Sequence, residues 1–223
     1  MVRRVLLGCW GVTGGAIANW VRDRAIAKRC RSIIFADSQS NRAVDLGTAC
    51  PDCACERCTV GRYGSPGIVA SSEMLHSVII QPVDPKIRND ELWYTFITHA
   101  EENGMSVLRE AASDDEFRET IRLRLKGDPT RSFHGVVSFP CASVRQLVAR
   151  TDGHGRIAGD RLYCVLDSDA ERRRHHADVF ATLPRSGTKV SNKAAWRRQR
   201  SDLMKLLRDN FATPGQFRGG SLS

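Results

Sequence analysis

The sequence lacks any hydrophobic run long enough to cross a bilayer. Its longest apolar stretches, such as residues 5–12, are flanked by Arg and interrupted by Gly, and none approaches the ~20 apolar residues that a transmembrane helix needs. A secretory signal peptide is not expected either, because Trp20 and Arg22 stand where a cleavage site would have small residues. These absences predict a soluble, cytoplasmic protein that does not contact a membrane.

The motifs of several common enzyme classes are also missing. The sequence contains no GxSxG, HExxH or P-loop pattern, so the hydrolases and NTPases that carry them lack support. Its 41% hydrophobic and 26% charged residues are near the globular average, which excludes a fully disordered chain. We therefore expect a folded protein with a binding role in preference to catalysis, and an enzyme stays open as the alternative.

Patterns along the middle of the chain predict clustered strands with helices between them. Short β-branched or aromatic runs predict strands at residues 74–83, 91–99, 105–110, 135–139 and 161–166. The second of these runs also fits a helix. Ser113 and Glu116 form a capping box that begins a helix, and residues 191–211 carry the apolar stripe of a longer one. The pattern predicts an α+β fold with a mixed sheet, three or four packing helices, an irregular Cys-rich N-terminal segment and a basic C-terminal helix.

The net charge of +9 is distributed unevenly along the 223 residues. The net charge is +5 in residues 1–70, −3 in residues 71–160 and +7 in residues 161–223. We predict three parts: a Cys-rich segment at 1–71 that has room for one β-α-β unit, a compact α+β domain at 72–183, and a basic amphipathic helix with a flexible tail at 184–223. The alternative for the first part is an extension that does not fold with the rest.

The densest chemical signal is a run of four cysteines, Cys50, Cys53, Cys55 and Cys58, which form two CxxC pairs separated by Ala54. Each CxxC turn places two thiolates where they can bind one zinc ion. Because one residue separates the pairs, all four sulfurs close a single tetrahedron only with strain. The sequence predicts a metal site here, with zinc preferred to an iron–sulfur cluster. It leaves open one CxxC pair joined by a distant Cys or His, an ion shared between two chains, or a loop that binds nothing. A disulfide framework is not expected without a secretion signal.

Residues 5–37 offer a second pattern. A short strand, a glycine-rich turn beginning at Gly8, a helix over 16–29 and a strand over 33–36 that ends at Asp37 follow the plan of a nucleotide-binding unit. The glycine spacing is GxxGxxG where that plan has GxGxxG, so a plain strand-turn-helix unit is the preferred interpretation.

A third pattern follows the predicted strand at 161–166. Asp167, Asp169 and His175 are residue types that can converge on a catalytic divalent metal. The alternative is structural, since Ser168 and Glu171 make a capping box for a following helix.

A fourth pattern is the basic C-terminal third of the chain. Arginine can neutralise phosphates and tryptophan can stack on an unpaired base, so these residues predict contact with nucleic acid. The candidate residues are Arg172, Arg173, Arg174, Lys193, Trp196, Arg197, Arg200 and Arg208. An acidic protein surface or an anionic membrane is the alternative partner, and a solvated helix face is the alternative to binding.

Residues 74–180 resemble small bacterial proteins of unknown function. The matching segments are SVIIQPVDP, NGMSVLREAASDDEF, HGVVSFPCASVRQL and LYCVLDSDAERRRHHADVF. The resemblance implies a bacterial, cytoplasmic accessory protein from a mobile or defence locus, and it implies no catalytic residues. We therefore expect a non-catalytic module that contacts nucleic acid or a nucleic-acid-processing partner. The alternative is a nucleotide- or metal-dependent enzyme that uses the Gly8–Asp37 turn or the Asp167, Asp169 and His175 site.

Overall fold

A computed structural model of the chain gives the fold. The structure describes residues 14–36, 42–50, 53–57, 63–81, 95–147, 161–169, 172–182 and 193–222. Within these residues, six helices pack with one six-stranded sheet. The predicted α+β class with a Cys-rich N-terminal segment is confirmed.

The sheet is formed by strands from the middle and the C-terminal part of the chain. Their bounds are β1 Met74–Gln81, β2 Met105–Arg109, β3 Ser132–Pro140, β4 Tyr163–Asp167, β5 His176–Ala181 and β6 Phe211–Ala212. They pair in the order β4-β5-β2-β1-β3-β6, and each recorded pairing is antiparallel, where a mixed sheet was expected. The first strand lies near the centre and is buried along most of its length.

The helices pack around this sheet. Their bounds are α1 Gly14–Ile34, α2 Arg42–Ala49, α3 Thr95–Glu102, α4 Asp114–Leu125, α5 Cys141–Arg145 and α6 Lys193–Arg208, and short 3₁₀ turns occupy Ala54–Arg57 and Phe217–Gly220. Helix α4 begins at the predicted capping box, in which Ser113 and Glu116 each accept the other's backbone N–H. It ends at Lys126, whose left-handed φ of 52° stops the helix.

Alternation along β1 divides the core between the two faces of the sheet. Leu75 and Ile79 belong to a cluster that also contains Leu203 of α6. Val78 and Ile80 belong to another cluster, together with Phe117 of α4. Side chains two positions apart face the same side of a strand, so one sequence run supplies both cores.

The Cys-rich segment packs against the β4–β5 end of the sheet. A third apolar cluster joins Cys30, Leu46 and Cys55 to Leu166 of β4 and Phe180 of β5. The N-terminal segment therefore shares a core with the rest of the described chain.

Four local expectations were wrong. The run at 91–99, predicted first as a strand, contributes its second half to helix α3, which was the alternative. The strand predicted at 33–36 does not form, because α1 continues through Ile34. The helix expected after Ser168 is replaced by strand β5 over His176–Ala181. The tail expected to be flexible carries Phe217, which is buried beside Phe117.

Candidate functional site

Three cysteines converge where the N-terminal segment meets the sheet. Cys30 comes from α1, Cys50 follows α2, and Cys55 lies in the 3₁₀ turn Ala54–Arg57. Their sulfur atoms lie within 4.8 Å of one another, and all three residues are buried. We call this group the thiol cluster.

The surroundings of the thiol cluster favour a thiolate at Cys50. Hydrogen bonds from the side chains of Cys30 and Cys55 lower the pKa of Cys50 to about 3, and the nearby Arg57 acts in the same direction. The backbone N–H of Cys55 also donates to Cys50 Sγ at 2.6 Å. The pKa of Cys55 is raised by its contacts with Cys30 and Cys50 and by burial. The sulfur of Cys50 thus accepts hydrogen bonds from its neighbours, an environment that favours the thiolate form that metals bind.

The spacing of the thiol cluster fits a single metal ion. With Zn–S bonds of ~2.3 Å, tetrahedral thiolates stand about 3.8 Å apart. Sulfurs that already lie within 4.8 Å of one another need to move little to reach this geometry. A cavity of about 10 Å³ lined by Cys50, Cys55 and Cys164 adjoins the cluster, which is about the size that holds one water molecule. The cluster could therefore hold a metal.

The four predicted metal ligands separate in the structure. Cys50 and Cys55, one from each CxxC pair, come together with Cys30. A distant cysteine was among the alternatives, but the intact CxxC pair expected beside it is not formed. Cys53 instead forms a disulfide with Cys164 of β4, where no disulfide was expected. Cys58 lies outside the described residues. Cys30 lies outside the cysteine run, so no sequence pattern places it beside Cys50 and Cys55.

Glu56 fixes the turn that carries Cys55. It lies among the cysteines of the sequence motif but is buried, and its carboxylate pairs with Arg161 at 2.6 Å and with Arg145 at 3.2 Å. It also accepts the backbone N–H of Val165 in β4. This residue was missed, because a charged side chain between cysteines has the pattern of an exposed loop.

Asp167 and Asp169, proposed as metal ligands, are occupied by the protein itself. Asp167 is 1% exposed and accepts hydrogen bonds from the Ser65 hydroxyl and from Arg109. Asp169 accepts the backbone N–H groups of Tyr63 and Ser65. These bonds fasten the loop at 63–69 to the end of β4, which favours the structural interpretation.

His175 is also held in place by its neighbours. Its backbone N–H donates to one oxygen of Glu116, and its Nδ1 lies 2.8 Å from the other. Burial would raise the pKa of Glu116, but the hydrogen bonds from His175 and Ser113 outweigh it and keep this pKa below its usual range. The imidazole therefore buttresses the N-terminus of α4, and it does not meet Asp167 in a metal site.

The candidate nucleic-acid residues fall into three groups. Arg172 and Arg174 are exposed on the turn before β5, whereas burial lowers the pKa of Arg173 between them. Arg200 forms two hydrogen bonds of 2.6 Å to the fully buried Glu101, so its role is structural. Arg208 is exposed near the end of α6. The side chains of Lys193, Trp196 and Arg197 lie outside the described part of the chain.

The proposed nucleotide-binding turn falls largely outside the described residues. Gly8 and Asp37 are not among them, and the second strand of the expected unit is replaced by the last turns of α1. Nothing in the described part of this segment supplies a phosphate cradle.

Comparison with known proteins adds no relative to these observations. No family model matches the sequence, and no curated protein or solved structure matches it. Among the described residues, no helix combines the length and the apolar character needed to cross a membrane. The resemblance of residues 74–180 to small bacterial proteins stays a prediction.

Proposed function

We propose that the protein is a non-catalytic binding module whose Cys-rich segment is held on the sheet by a zinc ion. The observation that carries the proposal is the thiol cluster, in which Cys30, Cys50 and Cys55 place three buried sulfurs within 4.8 Å of one another. Zinc takes thiolates in a tetrahedral arrangement and stabilises small Cys-rich segments that have little core of their own. The ion's role is structural, because its ligands join α1, α2 and the 3₁₀ turn.

Zinc suits the thiol cluster better than an iron–sulfur cluster does. A four-iron cluster uses one cysteine per iron and sets the cysteine sulfurs further apart than one ion does. Cys58, three positions after Cys55, stays the predicted fourth ligand.

Elemental analysis of the purified chain tests the zinc site. We expect about one zinc per chain, because three preplaced sulfurs lose little freedom on binding. Cys55→Ser removes a ligand and is expected to lower the zinc content at least tenfold. Cobalt substitution gives a second readout, since thiolate ligation produces a characteristic absorption that the variant loses.

Cys141→Ser is the matched control for the zinc experiment. Cys141 is a buried, free cysteine of α5 that is not part of the thiol cluster, so this variant is expected to retain the metal. Equal zinc content in the two serine variants would contradict the proposed site, as would a zinc-free wild type that also fails to bind cobalt.

The partner that the surface favours is nucleic acid. Arg172 and Arg174 are exposed side by side, and no ion pair neutralises either of them within the residues that the structure describes. We expect a single strand to bind with an affinity that falls steeply as salt rises, because phosphate contacts release counterions. A nucleic-acid-processing partner in a bacterial defence or mobile-element setting, and a cytoplasmic location, belong to the same proposal.

An enzyme is the alternative proposal, and the acidic residues of β4 favour it less. A catalytic carboxylate must reach substrate or metal, whereas Asp167 and Asp169 are buried and bonded to Arg109 and to the loop at 63–69. Their bonds support a role in holding that loop.

A further inference from the structure

We infer that the open cavity beside Tyr63, Arg172 and Arg174 binds the phosphorylated end of a nucleic-acid strand or a nucleotide, an inference that rests on the proposed contact with nucleic acid. The cavity has a volume of about 440 Å³ and lies between the turn before β5 and the start of α4. Ligand sites of roughly 300–1,000 Å³ are typical for small molecules. A nucleoside with its phosphate therefore fits.

Arg172 and Arg174 lie on a turn that hydrogen bonds hold in place at its end. Arg172 adopts a left-handed φ of 62°, which is uncommon for a residue with a side chain. His175, at the end of the turn, is bonded to Glu116 and accepts the backbone N–H of Arg109. Arg173 is half-buried, whereas Arg172 and Arg174 are both exposed and both line the cavity. Because the backbone of this turn is held in place, its two exposed guanidinium groups are already positioned to bind an anion.

Tyr63 supplies an aromatic surface at the same cavity. Its side chain is 47% exposed, yet its backbone N–H is bonded at 2.5 Å to Asp169, which is fully buried. The backbone N–H of Ser65 donates to the same carboxylate, so Asp169 holds this loop at two positions. An exposed ring on an anchored backbone is suited to stack on a base, an interaction that tolerates any base sequence.

The two carboxylates that line the cavity are already partnered. Asp115 pairs with Arg118 at 2.8 Å, and Glu116 accepts bonds from His175 and from the Ser113 backbone. Among the described residues, neither Arg172 nor Arg174 forms an ion pair, although Arg172 is near enough to Glu119 to help lower the pKa of that carboxyl. Positive charge is what remains available to a ligand.

This arrangement selects a terminal phosphate over an internal one. A phosphate monoester carries about −1.5 to −2 charge at pH 7, whereas a diester within a strand carries one negative charge. Two guanidinium groups can each make paired hydrogen bonds to a phosphate. The end of a strand thus gains more from Arg172 and Arg174 than its interior does.

A binding titration with three probes tests the inference. The probes are a short single strand with a 5′-phosphate, the same strand with a 5′-hydroxyl, and a nucleoside 5′-monophosphate. We expect the 5′-phosphate to tighten strand binding at least tenfold. The double variant Arg172→Ala/Arg174→Ala should abolish that gain, so that the two strands bind equally and both more weakly than they bind the wild type. Tyr63→Ala should weaken the phosphorylated probes about tenfold, and Tyr63→Phe should restore them.

Matched controls separate the cavity from general surface charge. Lys205→Ala removes an exposed cation of α6 that does not line the cavity, and Ile68→Ala removes an exposed apolar side chain from the same loop as Tyr63. Both variants should keep the full preference for the 5′-phosphate. Loss of the preference in either control would contradict a specific site.

The outcomes distinguish the cavity from the proposed function. Competition by the monophosphate identifies a nucleotide as a sufficient ligand, and its failure to compete assigns the site to strand ends. Equal binding of the two strands, with no binding of the monophosphate, overturns the inference but leaves nucleic-acid contact standing. If the monophosphate binds through Arg172 and Arg174 while neither strand binds, the inference stands and the proposed partner is wrong.

Discussion

At the scale of residues, His76 shows how burial sets the charge of a side chain in this core. It lies in β1 and contacts the rings of Phe117 and Phe217, with ring centroids 5.7 and 5.4 Å away. Its Nδ1 is 2.8 Å from the hydroxyl oxygen of Ser138. Burial, reinforced by the positive charge of Arg218, lowers the pKa of His76 to about 4. The imidazole is therefore neutral in the folded protein at neutral pH.

This neutral histidine should make the fold sensitive to acid. The pKa of His76 is about 4 in the folded chain and about 6.5 when unfolded, so the unfolded chain takes up the proton first as pH falls. The resulting loss of unfolding free energy is about 3 kcal/mol between pH 7 and pH 4. Denaturant titrations at the two pH values should show that His76→Gln removes this part of the loss.

The exposed His99 provides the control for the pH experiment. His99→Gln should leave the pH dependence unchanged, while His76→Gln retains the part due to His176, whose pKa burial also lowers. An acid slope that is identical in wild type and His76→Gln would contradict the assignment.

Some residues of the candidate site could be predicted from the sequence and others could not. Cys50 and Cys55 were recognisable as members of a dense cysteine run, but the predicted CxxC pairing was not kept, because Cys53 bonds to Cys164. Cys30 and Cys164 were not recognisable, since their partners are chosen by how α1 and β4 pack. The same reason conceals Glu56, whose burial depends on arginines far along the chain.

At the scale of elements, local signals were enough where one short motif determines the structure. The capping box of α4 and the β-branched run of β1 were predicted at nearly their observed bounds. The run at 33–36 also has β-branched residues, but Ile33 and Ile34 form the end of α1, since no Gly or Pro interrupts that helix between Gly15 and Ile34. Here neighbouring helical turns override local strand propensity.

The docking of the 3₁₀ turn Ala54–Arg57 depends on Glu56. Glu56→Ala leaves two guanidinium groups and the amide of Val165 without their acceptor, so we expect a loss of about 3 kcal/mol in unfolding free energy. The variant should also bind zinc more weakly, because the same turn carries Cys55. Denaturant unfolding and elemental analysis measure the two effects.

Asp115→Ala is the control for this turn. Asp115 belongs to an ion pair on the surface of α4, with its side chain 91% exposed, and such pairs contribute about 1 kcal/mol or less. A loss at Glu56 no larger than the loss at Asp115 would show that the buried pairs do not fix the turn.

At the scale of the whole molecule, the net charge of +9 belongs to particular surfaces of one shared structure. Helix α6 contributes Leu203 and Leu207 to the main core, and its Arg200 pairs with buried Glu101. Part of the C-terminal positive charge is thus used in packing. Arg172 and Arg174, by contrast, stay exposed on the turn before β5. Composition alone does not distinguish arginines that pack, such as Arg200, from arginines that are exposed.

The Cys53–Cys164 disulfide links the Cys-rich N-terminal segment to strand β4, across 111 residues of sequence. Closing a loop of that length restricts the unfolded chain, which corresponds to about 5 kcal/mol of stability in the chain-entropy description. We expect the double variant Cys53→Ser/Cys164→Ser to lose about that amount in denaturant unfolding. Reductant should lower the stability of the wild type by a similar amount and leave the double variant unchanged.

The double variant should retain its zinc, because neither Cys53 nor Cys164 belongs to the thiol cluster of Cys30, Cys50 and Cys55. Loss of the metal in that variant would mean that Cys53 or Cys164 is itself a ligand, and the disulfide and the metal would then be alternative states of the same cysteines.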